Sequence, residues 1–280
     1  MKHYIKLFSL FAVLYLGACA GRQTGNEESD LDSTLEVVED KDSLDLVEEI
    51  YEEESEDVNL DSSFVDYLFT FIHSHRLQKE RVLMPLIDIN REGIVKRLED
   101  FDCEKEFDFL RGDYFTLFYA NSEEMERLKD VADSIVYVDH ILLQDSIVHS
   151  YEFQRREIGW TLVARRDVSF QEAKYGTFMN FYAHFTADSV YQKQRLANVI
   201  RFTTSDPDDE NECIEGTIDN EQWGTLEAEL PASELTNIRN GQHYTNHRMV
   251  MLKCEVGSGQ QEIFTFDHAG HDWRLISYEN

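Results

Sequence analysis

One twenty-residue segment occurs twice in the chain, and this duplication constrains the fold more than any other feature of the sequence. Residues 63–82 read SFVDYLFTFIHSHRLQKERV, and residues 177–196 read TFMNFYAHFTADSVYQKQRL. Five identical pairs keep one spacing: Phe64 and Phe178, Phe71 and Phe185, Gln78 and Gln192, Lys79 and Lys193, and Arg81 and Arg195. Identical residues at a fixed spacing indicate an internal repeat, so we predict two related halves that each begin with this segment.

Each copy of the segment predicts one long amphipathic helix. Aromatic and aliphatic residues recur at steps of three and four, which places them on one face of an α-helix. Ser63 and Thr177 precede the first apolar residue, where a hydroxyl can accept a backbone N–H of the first turn. Aromatic side chains bury large areas, so we interpret these faces as core rather than as a cofactor site.

The remaining elements are predicted to follow in a similar order in both halves. The first half is predicted to contain short helices at 91–98 and 122–130, and strands at 113–119, 135–143, 147–155 and 160–165. The second half is predicted to contain strands at 223–230, 247–256, 262–268 and 273–278, and a capped helix at 233–240. Both halves end in a hairpin with a Phe followed by Trp-x-Leu. We therefore predict domains at 61–166 and 175–280, joined by a linker at 167–174.

The N-terminus has the pattern of an export signal. Residues 1–18 combine a basic start with an apolar run that is too short to span a bilayer as a mature helix. The run ends in Leu-Gly-Ala-Cys19, which resembles the lipobox of bacterial lipoproteins. That resemblance implies cleavage before Cys19 and attachment of acyl chains such as palmitate to this cysteine. The alternatives are an ordinary signal peptide with an incidental cysteine, or an uncleaved anchor.

Residues 19–60 predict an acidic, disordered tether between the lipid and the folded part. Residues 27–57 contain sixteen acidic residues and one basic residue, Lys41, and such a block repels itself. In some Bacteroidetes lipoproteins, acidic residues directly after the lipidated cysteine mark export to the cell surface, and residues 20–26 have none. We therefore expect an outer-membrane anchor that faces the periplasm. A formal net charge of −30 disfavours nucleic acid as a partner.

The order of elements resembles the nuclear-transport-factor-two-like fold, an α+β cone related to cystatin-like sheets. It also resembles a family of uncharacterised Bacteroidetes lipoproteins built on that fold. The resemblance covers most of residues 61–280 and depends on the element order and the tryptophan hairpins. It implies an α+β fold of two tandem repeats, each with a long N-terminal helix packed on a curved antiparallel sheet. It also implies that the two repeats pair within the chain as a pseudo-dimer.

Candidate pocket residues come from the same resemblance, because enzymes of this fold class place an Asp, His or Tyr inside the cone. The matching polar residues are Tyr67, Arg81, His184 and Arg195. An arginine repeated in both copies could hold a ligand carboxylate bidentately, or it could form a structural pair at the end of each helix. No Asp–His pair has a spacing that places both residues in one pocket.

Metal and disulfide chemistry have weaker sequence signals. His243 and His247 would share one face of a helix, but the flanking pattern predicts a strand, so we predict no metal site and no cofactor. The acidic run at 206–210 has the composition of a calcium site without a regular ligand loop, so we interpret it as a turn. Cys213 and Cys254 are candidates for a disulfide in an exported protein, which leaves Cys103 unpaired and buried.

No cluster of residues compels a particular reaction. The leading hypothesis is a lipid-anchored binding module whose partner is a small apolar or amphiphilic molecule, or another envelope protein. The alternative is an enzyme of the isomerase or dehydratase kind that uses a polar residue in one cone. A third hypothesis is a scaffold whose cones are filled by Phe71, Phe185 and neighbouring aromatic residues.

Overall fold

The computed structural model describes residues 63–128, 134–206, 209–270 and 272–280. The predictions for the signal peptide, Cys19 and the acidic tether lie outside these ranges. The described α-helices are α1 (Phe64–His73), α2 (His75–Arg81), α3 (Cys103–Glu106), α4 (Ser122–Arg127), α5 (Gly176–Ala187) and α6 (Ser189–Gln194). The strands are β1 (Val82–Ile89), β2 (Val95–Leu98), β3 (Tyr114–Tyr119), β4 (Ile135–Leu142), β5 (Ile147–Arg156), β6 (Gly159–Ser169), β7 (Leu196–Asp206), β8 (Asp209–Asp219), β9 (Glu234–Arg239), β10 (Arg248–Glu255), β11 (Gln261–Ala269) and β12 (Asp272–Glu279). None of the described helices is long and apolar enough to cross a membrane.

The single long helix predicted for each repeat is wrong, because both copies break into two helices at the same point. Ser74 lies between α1 and α2 with an extended backbone, and its hydroxyl accepts the N–H of Leu77. Asp188 separates α5 from α6 in the same way, and its carboxylate accepts the N–H groups of Val190 and Tyr191. Each of these residues is a good N-cap, so it starts a new helix instead of continuing the first.

The break explains why glutamine recurs in both copies. The Gln78 Nε2 group donates to the carbonyls of Phe71 and Ile72 at 3.0 and 3.2 Å. Gln192 donates to the Phe185 carbonyl at 3.3 Å. The last carbonyls of a helix lack partners within that helix, so the repeated glutamine satisfies them across the break.

Two six-stranded sheets carry the helices, and they are built alike. Sheet A has the order β2-β1-β6-β5-β4-β9, and sheet B has the order β8-β7-β12-β11-β10-β3. In each sheet one pair is parallel, β1 with β6 and β7 with β12, and the other pairs are antiparallel. The α+β class is therefore confirmed, while the expectation of purely antiparallel sheets is wrong.

The two halves exchange one edge strand each. Strand β3 belongs to the first half of the sequence but pairs with β10 in sheet B. Strand β9 belongs to the second half but pairs with β4 in sheet A. Phe118 of β3 is consequently buried in the core of the second half, and Ile238 of β9 is buried in the core of the first half.

The exchanged strands meet at a pair of threonines. The Thr116 hydroxyl donates to the Thr236 carbonyl at 2.7 Å, and it accepts the Thr236 N–H at 2.8 Å. The Thr236 hydroxyl makes the two reciprocal bonds to Thr116 at 2.8 and 2.7 Å. Both residues are buried. Their side chains thus satisfy backbone groups that a strand edge would otherwise leave unpaired.

Aromatic residues fill the space between each helix and its sheet. Phe71 is fully buried, and its ring lies 5.6 Å from those of Phe107 and Phe153. Phe185 is also fully buried, with its ring 5.7 Å from that of Phe266. Rings at these separations pack edge-to-face in a well-filled core. The aromatic faces of the repeated segments are thus core, as predicted.

Three further element predictions are wrong. The helix predicted at 91–98 is a turn followed by β2, because the Asn90 side chain accepts the Ile94 N–H and Gly93 takes a positive φ of 75°. The strand predicted at 223–230 begins as a 3-10 helix at Asn220–Leu226. The helix predicted at 233–240 is β9, whose four central residues are all buried. Pairing with β4 outweighs the local capping signal there.

Candidate functional site

The four pocket candidates predicted from the sequence do not come together in one site. Tyr67 is buried in the first core, and its hydroxyl donates to the Trp160 carbonyl at 2.9 Å. Burial raises the pKa of Tyr67 well above its ordinary value, although the charge of Arg81 opposes this shift. His184 is exposed on α5, where its Nδ1 atom lies 2.7 Å from the Asn180 carbonyl oxygen. Tyr67 is therefore a core residue and His184 a surface residue.

Arg81 and Arg195 occupy equivalent places at the ends of α2 and α6. In each, the Nε atom is buried and has no hydrogen-bond partner among the described residues. The Arg195 Nη2 atom forms an ion pair with Asp272 at 3.0 Å, and its guanidinium lies 4.9 Å from the centre of the Tyr191 ring. These contacts agree with the structural interpretation of the repeated arginine at Arg195.

The predicted disulfide between Cys213 and Cys254 does not form in the structure. Both thiols are free, as is that of Cys103. Cys213 is exposed on β8 and Cys254 is buried on β10, and three strands of sheet B separate them. At about 4.8 Å per strand the cysteines are on the order of 15–20 Å apart, far beyond the reach of a disulfide.

The histidines flagged for metal binding lie in the loop between β9 and β10. The His243 N–H donates to the Glu124 carboxylate at 2.8 Å. Within the described ranges, no three His, Cys, Asp or Glu residues are arranged to hold a metal ion.

Sheet A brings together an Asp–His pair that the sequence analysis missed. The His149 Nδ1 atom lies 2.6 Å from the Asp167 Oδ1 atom. On the next strand, the His140 Nε2 atom lies 2.7 Å from Glu234 Oε2, and the two imidazole rings are 6.0 Å apart. These side chains lie on the helix-facing side of the sheet, beyond the aromatic core. An imidazole oriented by a carboxylate is the arrangement of a general base.

A β-bulge creates this pair. The turn between β5 and β6 pairs Arg156 with Gly159, and this register continues up to Phe153 and Leu162. One extra residue in β6 then shifts the register, so that His149 lies opposite Asp167. Without the bulge His149 would pair with Arg166. The sequence predicts the β5–β6 hairpin, which gives the register near the turn. It does not predict the bulge, so the pairing of His149 with Asp167 could not be found from the hairpin alone.

The environment of His140 disfavours its charged form. Burial lowers the pKa of His140, although the hydrogen bond with Glu234 opposes this shift. The Phe109 ring stacks on the imidazole with a centroid distance of 4.1 Å. A neutral His140 could accept a proton. Its partner Glu234 is 47% exposed, so the carboxylate side of this pair is open to solvent.

The equivalent region of sheet B is closed by a satisfied ion pair. Lys253 is only 4% exposed, and its Nζ atom lies 2.5 Å from the Glu262 carboxylate. The Tyr278 hydroxyl donates to the same carboxylate at 2.6 Å, and Lys253 also donates to the Glu229 carbonyl. Every polar group of this set has a partner, so it is better suited to structure than to ligand binding.

A cleft of about 620 Å³ opens on the face of sheet A opposite its helices. We call it cleft A. Its floor is formed by β4, β5 and β6, and its sides by Arg239, the turn at 89–93 and the segment at 172–175. A volume of this size is ordinary for a small-molecule site, since such pockets span roughly 300–1,000 Å³.

A largely buried ion pair forms one end of cleft A. Asp139 is 1% exposed, and its two oxygens accept from Arg239 Nε at 2.6 Å and Arg239 Nη2 at 3.1 Å. The Tyr175 hydroxyl donates to Asp139 Oδ2 at 2.6 Å, and Arg239 Nη2 also donates to the Ser150 hydroxyl at 2.8 Å. Burial alone would lower the pKa of Arg239, but Asp139 outweighs it and raises that pKa. The guanidinium is therefore charged and fixed in position.

A second cleft of about 610 Å³ lies on the corresponding face of sheet B. Its lining is rich in hydroxyl groups and includes Arg201, Glu215 and Glu279. Burial raises the pKa of Glu279, while Arg201 opposes the shift. No buried ion pair is described at its edge, so cleft A is the better-organised candidate site.

Comparison with known proteins gives a family without an assigned activity. A solved structure described as an NTF2-like protein from Bacteroides fragilis is 29% identical and superposes with a TM-score of 0.71. The match covers 79% of this chain and 97% of that one, which confirms the resemblance to the nuclear-transport-factor-two-like fold. No curated protein matches the chain. A family model described as "Domain of unknown function (DUF4348)" matches residues 43–280, and the chain belongs to that family.

Proposed function

We propose that the chain is a lipid-anchored protein of the cell envelope that binds a small molecule in cleft A and releases it unchanged. The observation that carries this proposal is the cleft itself, a space of about 620 Å³ beside a fixed and largely buried Asp139–Arg239 pair. The aromatic cores under the helices are filled, which favours a ligand site on the outer face of the sheet.

The same proposal treats residues 61–166 and 175–280 as tandem cone repeats that pair within the chain as a pseudo-dimer. The matching strand orders of sheets A and B support it, and so does the exchange of β3 and β9. A chain that already contains both members of the pair does not need a second copy to complete either sheet.

Cleft A should lose its ligand when its floor is filled. Ala164 lies in the cleft, opposite Glu152 in the strand register. We expect Ala164→Trp to reduce at least tenfold the amount of small molecule that the purified chain retains from an envelope extract, because the indole occupies the ligand's space. The measurement is mass spectrometry of the molecules released on denaturation.

Ala269→Trp is the matched control, because Ala269 is exposed at the end of β11 and does not line either cleft. The proposal is contradicted if Ala164→Trp and Ala269→Trp retain equal amounts of the small molecule. It is also contradicted if the wild type retains no small molecule. Recovery of a molecule that the chain has chemically altered would replace it with the enzyme alternative. His149, which lies 2.6 Å from Asp167 on the other face of sheet A, would then be the first base to test by substitution, with the altered molecule bound on that face.

The anchor depends on Cys19. We expect Cys19→Ser to move the protein from the membrane fraction to the soluble envelope fraction and to abolish incorporation of labelled palmitate, since the thiol at the lipidation site is gone. Several acyl chains add about 0.8 kcal/mol for each buried methylene, so their loss should release the protein almost completely. Membrane association that survives this substitution contradicts the lipid anchor.

A further inference from the structure

We infer that cleft A binds a small organic carboxylate with a short apolar body, whose head group contacts Arg239, Ser150 and Arg166. This inference rests on the proposed function, because it names the ligand class of the same cleft. Three observations carry it: the unused donors at the edge of the cleft, the balanced charge of its lining on an acidic chain, and the aliphatic part of that lining.

The Arg239 guanidinium offers unused donors in a fixed position. Its Nε and Nη2 atoms donate to Asp139 and Ser150, and within the described part of the chain its Nη1 atom has no protein acceptor. Its guanidinium carbon lies 4.3 Å from the centre of the Tyr137 ring, so the group is held on one side by an aromatic face. A guanidinium fixed in this way binds a carboxylate with little loss of side-chain entropy.

A second arginine converges on the same place. The strand register puts Asp139 opposite Ser150 and Ser150 opposite Arg166. Directly opposed residues have Cβ atoms roughly 4.5–5.5 Å apart, so Arg166 flanks the Ser150 hydroxyl on the side away from Asp139. Arg166 is exposed and lines the cleft, and the described residues offer it no ion pair. Ser150 accepts from Arg239, and its own proton has no acceptor in the same described ranges.

The acidic residues near this point are already engaged. Asp139 is neutralised by Arg239, and Asp167 is paired with His149 on the other face of the sheet. Glu172 accepts the Ser169 hydroxyl at 3.1 Å, and Glu152 accepts the Gln154 amide at 2.8 Å. The basic residues Arg91 and Lys174 line the rim, and the exposed carboxylates of Glu92 and Glu172 lie among them. The formal charges along cleft A thus cancel, with five basic and five acidic residues, on a chain whose formal net charge is −30.

Five aliphatic side chains also line the cleft and suit a short hydrocarbon body. They are Ile89, Val148, Ala164, Val168 and Ala173. Small-molecule sites commonly combine a few fixed polar groups, which orient the ligand, with aliphatic side chains that contact its apolar part. A planar carboxylate matches the two-pronged donor geometry of a guanidinium.

The test is calorimetric titration of the full chain with sodium hexanoate, sodium acetate and hexanamide at constant ionic strength and pH 7.5. We expect the wild type to bind hexanoate at least tenfold more tightly than acetate or hexanamide. Arg166→Gln should weaken hexanoate binding at least tenfold, because it removes one charged donor from an exposed position that the fold does not need. Arg156→Gln is the control, because Arg156 is exposed at the β5–β6 turn outside the cleft, and it should change the affinity less than twofold.

Two results would overturn this inference and leave the proposed function standing. One is equal affinity for hexanamide and hexanoate that Ala164→Trp abolishes, which would show a neutral ligand site. The other is that none of the three probes binds, while the wild type still retains a molecule from the extract that the Ala164→Trp variant does not retain. That result would show a ligand of another chemical class. If the wild type binds no probe and retains nothing from the extract, both the ligand class and the proposed function are wrong.

Discussion

Asp139→Ala is expected to lower the free energy of unfolding by about 3–5 kcal/mol, because it leaves a charged and largely buried guanidinium without its partner. Asp139 is 1% exposed and holds Arg239 through two hydrogen bonds, while Tyr175 donates to the same carboxylate. Removing the carboxylate leaves the Arg239 guanidinium and the Tyr175 hydroxyl without this acceptor. Urea denaturation followed by circular dichroism measures the effect as a change in the midpoint at constant slope.

Two further variants separate this explanation from a general loss of packing. The double variant Asp139→Leu with Arg239→Met removes both charges together, and it should recover most of the lost stability. Asp267→Ala is the matched control, because Asp267 pairs with Arg248 at 3.3 Å on the surface and such pairs contribute about 0–1 kcal/mol. If Asp139→Ala destabilises no more than Asp267→Ala, the buried pair does not hold this part of the fold.

Thr116→Val should lower the free energy of unfolding by about 2–5 kcal/mol, although valine has nearly the same shape as threonine. The substitution leaves the backbone N–H and the carbonyl of Thr236 buried and unpaired, because both bond to the Thr116 hydroxyl. Each unsatisfied buried group costs roughly 1–3 kcal/mol. The measurement is again the urea midpoint, and Thr236→Val should have a similar effect because its bonds are the reciprocal ones.

Thr265→Val provides the control for the change of side chain alone. Thr265 is 8% exposed on β11, and its hydroxyl has no partner in the described part of the chain. We expect its replacement to change stability by less than about 1 kcal/mol, since no buried group loses a bond. If Thr116→Val lowers the free energy of unfolding no more than Thr265→Val does, water must satisfy the backbone groups of Thr236.

Local patterns predicted the parts of the fold that local forces determine. The helical faces around Phe71 and Phe185 and the closing hairpins with Trp160 and Trp273 follow from periodicity and turn signals, and the structure confirms them. Strand β9 was predicted as a helix because its partner β4 is about one hundred residues away in the sequence. No short-range signal reports a pairing of that kind.

The candidate site was missed for a related reason. The candidate pocket residues lay on the repeated helices, where Tyr67 is a core residue and His184 is a surface residue. The polar groups that converge lie on neighbouring strands, and a one-residue bulge decides which of them face each other. A change of one position in the register moves a side chain to the other face of the sheet, so spacing in the sequence could not identify these neighbours.

The exchange of β3 and β9 also affects the order in which the chain can fold during synthesis. Sheet A is encoded mainly by the first half, yet its edge strand ends at Arg239 of a 280-residue chain. A nascent chain that has released only its first half has no strand to cover the open edge of β4. Contacts between residues so far apart in the sequence form slowly, so closure of this edge is expected to be a late step in folding. Sheet B is completed later still, because its strand β12 ends at Glu279, so neither sheet can close before most of the chain has been made.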